Sequence, residues 1–152
     1  MKKKIENIFL KKKILIYGLG KSGISSFRFL RNKADIYLFD DLKNTHPNQI
    51  SKLKLLKIKF DIIIISPGIN ISNCKLSKFL KLNKKKIYTD LDVFFTFFKN
   101  KCITITGTNG KSTTAKILYE VLKDQKKDVR LIGNIGNLSL IHISEPTRLR
   151  LI

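Results

Sequence analysis

Short apolar segments recur along the chain and are separated by stretches rich in lysine. Most of these segments are rich in isoleucine and do not alternate with polar residues, which is typical of parallel strands covered on both faces. The predicted strands are residues 14–17, 36–39, 62–65, 87–88, 103–106 and 129–132. Apolar residues between them repeat at helical spacing, and the predicted helices are 24–30, 49–57, 74–82, 91–98 and 113–123. This alternation predicts an α/β fold with parallel sheets.

One predicted strand, turn and helix carries the strongest chemical signal. The strand 103–106 runs into a glycine-rich turn and then into the helix that begins at Thr113. In this order, backbone N–H groups point inward and the positive end of the helix dipole adds to them, so the turn can hold an anion. We interpret it as an ATP site, with Lys111 along the β- and γ-phosphates and the Ser112 hydroxyl as a Mg²⁺ ligand. The predicted ATP-binding residues are Gly107, Thr108, Asn109, Gly110, Lys111, Ser112 and Thr113.

This turn matches the general phosphate-binding loop only in part. The pattern G-x-x-x-x-G-K-[ST] would place a glycine at position 105, where the chain has Ile105, and the first glycine of the turn is Gly107. The loop is therefore the tighter form T-G-T-N-G-K-S. An ordinary turn with a chance Gly-Lys-Ser is the alternative, and the order of strand, turn, lysine, hydroxyl and helix disfavours it.

Another glycine-rich turn, G-L-G-K-S-G at residues 18–23, follows the first predicted strand. It fits G-x-G-x-x-G between a strand and a helix, which is the context of the dinucleotide-binding fingerprint. Asp40 and Asp41 end the next strand roughly 20 residues later, where an acid meets a ribose hydroxyl in that fold. Taken alone, this half predicts a Rossmann unit that binds NAD or FAD, although such glycines serve close approach to any diphosphate.

Two further turns end predicted strands. Ser66, Pro67 and Gly68 turn the chain across the carboxyl edge of the sheet, where ligands of open α/β folds bind, although a plain turn is equally consistent. Asn134 lies in the turn G-N-I-G and offers an amide for hydrogen bonding. Before the helix 91–98, Thr89 is followed three residues later by an aspartate, which resembles a capping box.

The formal net charge of +20 does not by itself indicate a nucleic-acid-binding surface. The lysines are scattered through nearly every predicted helix and loop, and no basic stretch is interleaved with stacking aromatics, so we expect no specific nucleic-acid partner. No segment offers the ~18 uninterrupted apolar residues that a membrane span needs. Cys74 and Cys102 lack metal or redox spacing, which favours a cytosolic protein.

Taken together, the glycine turns, S-P-G-I, T-D-L-D-V-F-F, T-G-T-N-G-K-S-T and G-N-I-G resemble the Mur ligases in order and spacing, over residues 12 to about 138. The likeness is greatest to members that join D-glutamate to UDP-N-acetylmuramoyl-L-alanine in peptidoglycan synthesis. The resemblance implies a Rossmann-like domain, residues 1–99, that holds the UDP of the substrate and not NAD. The start of a central ATP-binding domain follows it, residues 100–138. We expect a monomer that uses ATP and Mg²⁺.

The resemblance also implies roles for particular residues. Lys21 and Ser22 would lie by the uridine diphosphate, Asp40 and Asp41 would approach the uridine end, and Asn134 would contact the muramoyl portion. Ser66, Pro67 and Gly68 would line the same cleft. In the family, the substrate carboxylate is phosphorylated to an acyl phosphate, and the amine of the amino acid then displaces phosphate. Lys111 and Mg²⁺ would stabilise charge on the transferred group.

Residues 139–152 depart from the family. This segment contains no lysine, although lysine dominates the chain before it, and its basic residues are Arg148 and Arg150. We hypothesise that the tail is foreign, the alternative being a divergent surface segment. The acidic Mg²⁺ ligand, the modified lysine, the histidine and the amino-acid-binding domain of the family are also missing, so we expect an inactive fragment.

Three other kinds of function remain open. A non-catalytic nucleotide-binding module is one, and an NAD-dependent oxidoreductase is another, although it leaves the second glycine turn unexplained. A neighbouring ligase that adds a different residue, or a folylpolyglutamate synthase, is the third. The folate enzymes rank lower because they lack a UDP-type Rossmann domain at the N-terminus.

Overall fold

The computed structural model describes residues 7–42, 46–98, 101–131 and 149–151. The chain divides into two compact units, Met1–Phe97 and Phe98–Ile152. Each unit contains a parallel sheet with helices, so the predicted α/β fold class is confirmed. No helix in the described ranges is long and apolar enough to cross a membrane.

The first unit is built on a four-stranded parallel sheet with the order β2-β1-β3-β4. Its strands are β1 (Lys13–Tyr17), β2 (Asp35–Phe39), β3 (Ile62–Ile65) and β4 (Ile87–Tyr88). Its helices are α1 (Lys21–Leu30), α2 (Lys52–Leu56), α3 (Ser77–Leu82) and α4 (Asp90–Phe97), with a short 3₁₀ turn at Lys84–Lys86. The chain first adds β2 on one side of β1 and then adds β3 and β4 on the other side. The strand order therefore switches between β1 and β3, which is the place where open α/β folds bind ligands.

The apolar core explains why these strands lack alternation. Leu15 and Tyr17 of β1 pack on one side with Leu55 of α2 and Leu80 of α3, all of them fully buried. Ile14 and Ile16 are also fully buried, although they point to the opposite face. A strand covered on both faces has to be apolar at every position, as the isoleucine runs indicated.

Two predicted helices begin later than expected. Helix α2 starts at Lys52 and not at residue 49, because the Ser51 hydroxyl accepts a hydrogen bond from the Lys54 N–H at 3.3 Å and so caps the helix. Gln49 instead forms an isolated bridge with Leu38 of β2. Helix α3 starts at Ser77 and not at residue 74, because residues 70–76 form successive turns. The extra residues belong to the connections at the carboxyl edge of the sheet.

The capping box before α4 is confirmed. The Thr89 hydroxyl accepts a hydrogen bond from the Asp92 N–H at 3.3 Å, and the Asp92 carboxylate accepts from the Thr89 N–H at 2.7 Å. The Thr89 hydroxyl also donates to this carboxylate at 2.8 Å. Donors at the helix start that have no partner within the helix are thereby satisfied.

The described residues of the second unit form three parallel strands with the order β5-β7-β6. They are β5 (Lys101–Ile103), β6 (Val129–Leu131) and β7 (Leu149–Leu151), and helix α5 (Lys111–Asp124) lies between β5 and β6 in the chain. The predicted strand 103–106 was wrong, because β5 ends at Ile103. Ile103 pairs with Leu151, and the partner strand β7 ends there, so Thr104–Thr106 have no described strand to pair with.

Candidate functional site

The first glycine turn is packed tightly against the turn after β3. Gly18 has φ of +91°, and a Cβ added there would lie 2.8 Å from the Ser66 Cβ. A Cβ added at Gly23 would lie 1.9 Å from the carbonyl oxygen of Gly18. The Ser66 hydroxyl donates to that same oxygen at 2.6 Å. Positions 18 and 23 therefore require glycine, and the two turns meet at the carboxyl ends of β1 and β3.

Helix α1 presents its N-terminus beside this turn. The helix begins at Lys21, three residues earlier than predicted, so the exposed Lys21 and the half-buried Ser22 lie in its first turn. The N-cap residue is Gly20, which has no side chain to cap the helix, and the first turn contains no acidic residue. The N–H groups of this turn therefore lack a side-chain acceptor from the cap, which is the arrangement that binds phosphate groups.

Asp40 ties two loops together at the end of β2. Its carboxylate accepts a hydrogen bond from the Leu19 N–H at 2.6 Å and another from the Leu42 N–H at 2.8 Å. One contact reaches the glycine turn after β1, and the other closes the start of the β2–α2 connection. The acid at this position thus holds the glycine turn in place, and each carboxylate oxygen keeps a further lone pair for a ligand.

Asp41 makes a similar link to β1 and to the connection before α3. The Tyr17 hydroxyl donates to Asp41 Oδ1 at 2.6 Å, and the Lys75 N–H donates to Oδ2 at 3.3 Å. The Lys75 ammonium group also donates to the backbone carbonyl of Asp41. Burial, together with the hydrogen bond to Asp41, raises the pKa of Tyr17 well above its usual value. The hydroxyl therefore keeps its proton and acts as a donor at physiological pH.

A cavity of about 650 Å³ opens at the carboxyl end of β2. This volume is in the range of small-molecule sites. The cavity brings together the two predicted aspartates and other polar side chains that were not predicted from the sequence. The cavity is lined by Phe39, Asp40, Asp41, His46, Pro47, Gln49, Ile50, Ser51, Lys52 and Lys75.

The residues that were missed come from two connections without a regular pattern. His46, Gln49 and Lys52 follow β2, and Lys75 precedes α3. Their one shared sequence signal is that they follow strands that end at the same sheet edge. Among the other predicted residues, Pro67 and Gly68 are exposed in the turn after β3 and do not line this cavity. Asn134 lies outside the described residues.

The second glycine turn lies between β5 and α5. Gly107 has φ of +151° and Gly110 has φ of +75°, both conformations that favour glycine. Gly110 is the N-cap residue of α5, which again has no side-chain cap and no acid in its first turn. The Lys111 ammonium group folds back and donates to the carbonyl oxygens of Gly107 and Thr108, the latter at 3.1 Å. The turn is thus a glycine loop closed by its own lysine.

Helix α5 places the predicted phosphate and metal residues together. Lys111, Ser112 and Thr113 occupy its first turn, and all of residues 106–114 are exposed. No group of three or more histidine, cysteine or acidic side chains suited to a metal ion occurs in the parts of the chain that the structure describes. The Ser112 hydroxyl fits one position of an oxygen-ligated Mg²⁺, provided that nucleotide phosphates supply further oxygens.

The fold and these turns define the class of protein. It is an α/β protein in which, at two places, a parallel strand leads through a glycine turn into a helix N-terminus without a side-chain cap. Comparison with known proteins gives the family. A family model described as the Mur ligase middle domain matches residues 105–151. The chain belongs to the Mur ligase family.

Three similar proteins share the name UDP-N-acetylmuramoylalanine--D-glutamate ligase. The chain is 37% identical over 140 residues to the Rickettsia conorii protein, covering 86% of this chain and 28% of that one. It is 34% identical over 145 residues to the Lachnoclostridium phytofermentans protein, covering 84% and 32%. It is 36% identical over 125 residues to the Aquifex aeolicus protein, covering 82% and 29%. The chain thus spans about three tenths of the length of the curated relatives it matches.

Proposed function

We propose that the chain is the nucleotide-handling part of a cytoplasmic ATP-dependent ligase that joins D-glutamate to UDP-N-acetylmuramoyl-L-alanine in peptidoglycan synthesis. The observation that carries this proposal is the presence of two glycine turns, each leading into a helix N-terminus without a side-chain cap, on a chain whose relatives have that name. A single turn would be compatible with many nucleotide-binding proteins, whereas two such turns suit an enzyme with two nucleotide substrates.

In the first unit, the diphosphate of UDP would lie at the N-terminus of α1. The uncapped N–H groups supply donors, Lys21 supplies a cation, and the Ser22 hydroxyl supplies one more donor. The uridine would extend into the cavity at the end of β2, whose wall includes Asp40 and Asp41. Asn134 would contact the muramoyl portion, as the family resemblance implies.

In the second unit, the triphosphate of ATP would lie in the turn 107–110 and at the N-terminus of α5. Lys111 would exchange the loop carbonyls it now contacts for oxygens of the β- and γ-phosphates. The Ser112 hydroxyl would be a ligand of Mg²⁺, which when bound supplies positive charge to the phosphates. The exposure of residues 106–114 leaves this surface open to a ligand.

The proposed reaction has two steps. The carboxylate of the muramoyl-L-alanine substrate attacks the γ-phosphorus of ATP, which forms an acyl phosphate and releases ADP. The amine of D-glutamate then attacks the acyl carbon, an amide bond forms, and inorganic phosphate leaves. Lys111 would stabilise the negative charge on the transferred phosphoryl group by donating to its oxygens. As the family resemblance implies, this reaction also requires an acidic metal ligand and an amino-acid-binding domain.

Ligand competition tests the proposal at its first unit. The full chain is titrated with UDP-N-acetylmuramoyl-L-alanine, UDP and NADH by isothermal calorimetry. We expect the two uridine nucleotides to bind and to compete with one another, and NADH not to displace them. Micromolar binding of NADH without any response to UDP would refute the ligase function and favour an oxidoreductase.

A further inference from the structure

Tyr17 places a hydroxyl group at the end of a strand whose other buried residues are aliphatic. It is the last residue of β1, directly before the glycine turn, and it is fully buried. A buried tyrosine hydroxyl needs a partner, and this one donates to Asp41 Oδ1 at 2.6 Å. Cys74 packs against the core cluster that contains this tyrosine. Filling space in this core would require no hydroxyl, so the polar group calls for another explanation.

Asp41 is held from two sides, and neither contact is local in sequence. Tyr17 lies 24 positions away from it, and Lys75 lies 34 positions away. Each carboxylate oxygen accepts from one of them, and the Lys75 ammonium group also reaches the Asp41 carbonyl. Asp41 therefore joins the end of β1 to the connection before α3, and its position depends on both.

The shape of the cavity at the end of β2 depends on the position of Asp41. Asp41 and Lys75 both form part of its wall, whereas Tyr17 does not. A change at Tyr17 can therefore reach a ligand in the cavity only through the residues that Tyr17 contacts. Tyr17 therefore differs from Asp40 and Asp41, which were predicted to approach the uridine and which line the cavity.

We infer that Tyr17 is a positioning residue for the uridine end of the substrate: it fixes Asp41, and with it Lys75, in the wall of the nucleoside cavity. The inference rests on the proposed function, since it assigns the cavity to a uridine nucleotide. It makes Tyr17 a determinant of UDP affinity although it touches no ligand. Because the network lies wholly in the first unit, ATP binding at the second unit is unaffected.

The test compares Y17F with a matched variant of the full chain. Y17F removes one oxygen and leaves the ring in the core. Y37F is the control, because the Tyr37 hydroxyl also donates to an aspartate, Asp35 Oδ2 at 3.0 Å, near the opposite end of the neighbouring strand and away from the cavity. UDP and ATP affinities are measured by calorimetry for the wild type, Y17F, Y37F, D41A and the Y17F/D41A double variant.

We expect Y17F to weaken UDP binding about tenfold, since a hydrogen bond to a charged group is lost, and to leave ATP binding unchanged. D41A should cost at least as much, and the double variant should be no weaker than D41A, because both changes break one network. Y37F should match the wild type. Fluorotyrosine at position 17, which keeps the hydroxyl, should restore UDP affinity, and its fluorine resonance should shift with UDP but not with ATP.

The outcomes separate the inference from the function on which it rests. If the wild type binds UDP and Y17F binds it equally well, the positioning role is overturned while the proposed function stands. If Y17F loses UDP and ATP binding together, or if its effect adds to that of D41A, Tyr17 is only structural and the inference fails. If the wild type does not bind UDP at all, the proposed function itself is refuted, and the inference falls with it.

Discussion

Replacing Gly23 with alanine gives the sharpest test of how the first glycine turn is built. The new Cβ would lie 1.9 Å from the Gly18 carbonyl oxygen and 2.9 Å from the Ser66 hydroxyl. Helix α1 would have to move by more than ~1 Å to relieve the first contact, and overpacking of this kind costs about 3 kcal/mol. Alanine gains about 1 kcal/mol of helix propensity over glycine. The net loss is therefore about 2 kcal/mol, and the melting temperature of a unit of this size should fall by roughly 10 °C.

The assay can follow the first unit specifically. Three of the four tyrosines, Tyr17, Tyr37 and Tyr88, lie in this unit, so tyrosine fluorescence reports mainly on its unfolding. Gly68→Ala is the matched control, because nothing lies within 4 Å of a Cβ added there, and its stability should change by less than ~0.5 kcal/mol. A G23A protein that melts at or above the wild-type temperature would refute the reasoning, since helix propensity alone gives that result.

Three further predictions concern α4, Tyr17 and the tail. T89A removes the hydroxyl of the capping box and should lower the unfolding free energy by about 1 kcal/mol in urea titrations, whereas T89S should restore it; equal losses in both variants would contradict the capping role. The raised pKa of Tyr17 implies stability that is present below its unfolded value of 10.0 and is lost as the pH rises above it. The free energy of unfolding should thus fall above pH ~10 by up to ~1.4 kcal/mol per pH unit more in the wild type than in Y17F. If the two proteins lose stability in parallel as the pH rises, the pKa of Tyr17 is not raised. Sequencing the locus from independent DNA tests the hypothesis that residues 139–152 are foreign: a different reading beyond residue 138 would support it, whereas an unchanged reading, which the family match to residue 151 favours, would contradict it.

The sequence predicted the sheet of the first unit well, because a parallel sheet leaves a simple signal. β3 is four isoleucines, Ile62–Ile65, all buried, and a run of this kind has few other places in a fold. Both glycine turns could also be located, since a strand, glycines and a helix in sequence are local features. The requirement for glycine at position 23 could be named but not explained, because it depends on how the turn folds: the carbonyl of Gly18, five positions earlier in the same turn, lies against the position of a side chain.

The sequence-based predictions failed where the structure depends on contacts between distant parts of the chain and not on local conformational preference. Residues 103–106 have strong β propensity, yet β5 ends at Ile103, and residues 104–106 pair with no strand in the part of the chain that the structure describes. Of the ten residues that line the cavity, only two were predicted as site residues. Asp40 and Asp41 carry a recognisable spacing, whereas Lys75 reaches Asp41 across 34 positions, and no pattern in either segment encodes that contact.

The central claim is that the chain has two independent nucleotide sites, one for a uridine diphosphate and one for ATP, and a crossed pair of variants tests it most directly. Gly20→Asp adds an anionic cap at the N-terminus of α1, where nothing lies within 4 Å of the new Cβ and where aspartate is a favoured N-cap residue. Gly20→Asn is its neutral control. K111M removes the lysine of the second turn, and K116M, which replaces another exposed lysine of α5, is its control.

Calorimetry with UDP and with ATP is carried out on all four variants of the full chain. We predict that G20D weakens UDP binding by more than about tenfold through charge repulsion at the helix N-terminus and leaves ATP binding intact. K111M should weaken ATP binding by about tenfold or more and leave UDP binding intact. If either variant weakens both ligands, or if UDP and ATP compete for one site, the account of two independent sites is contradicted.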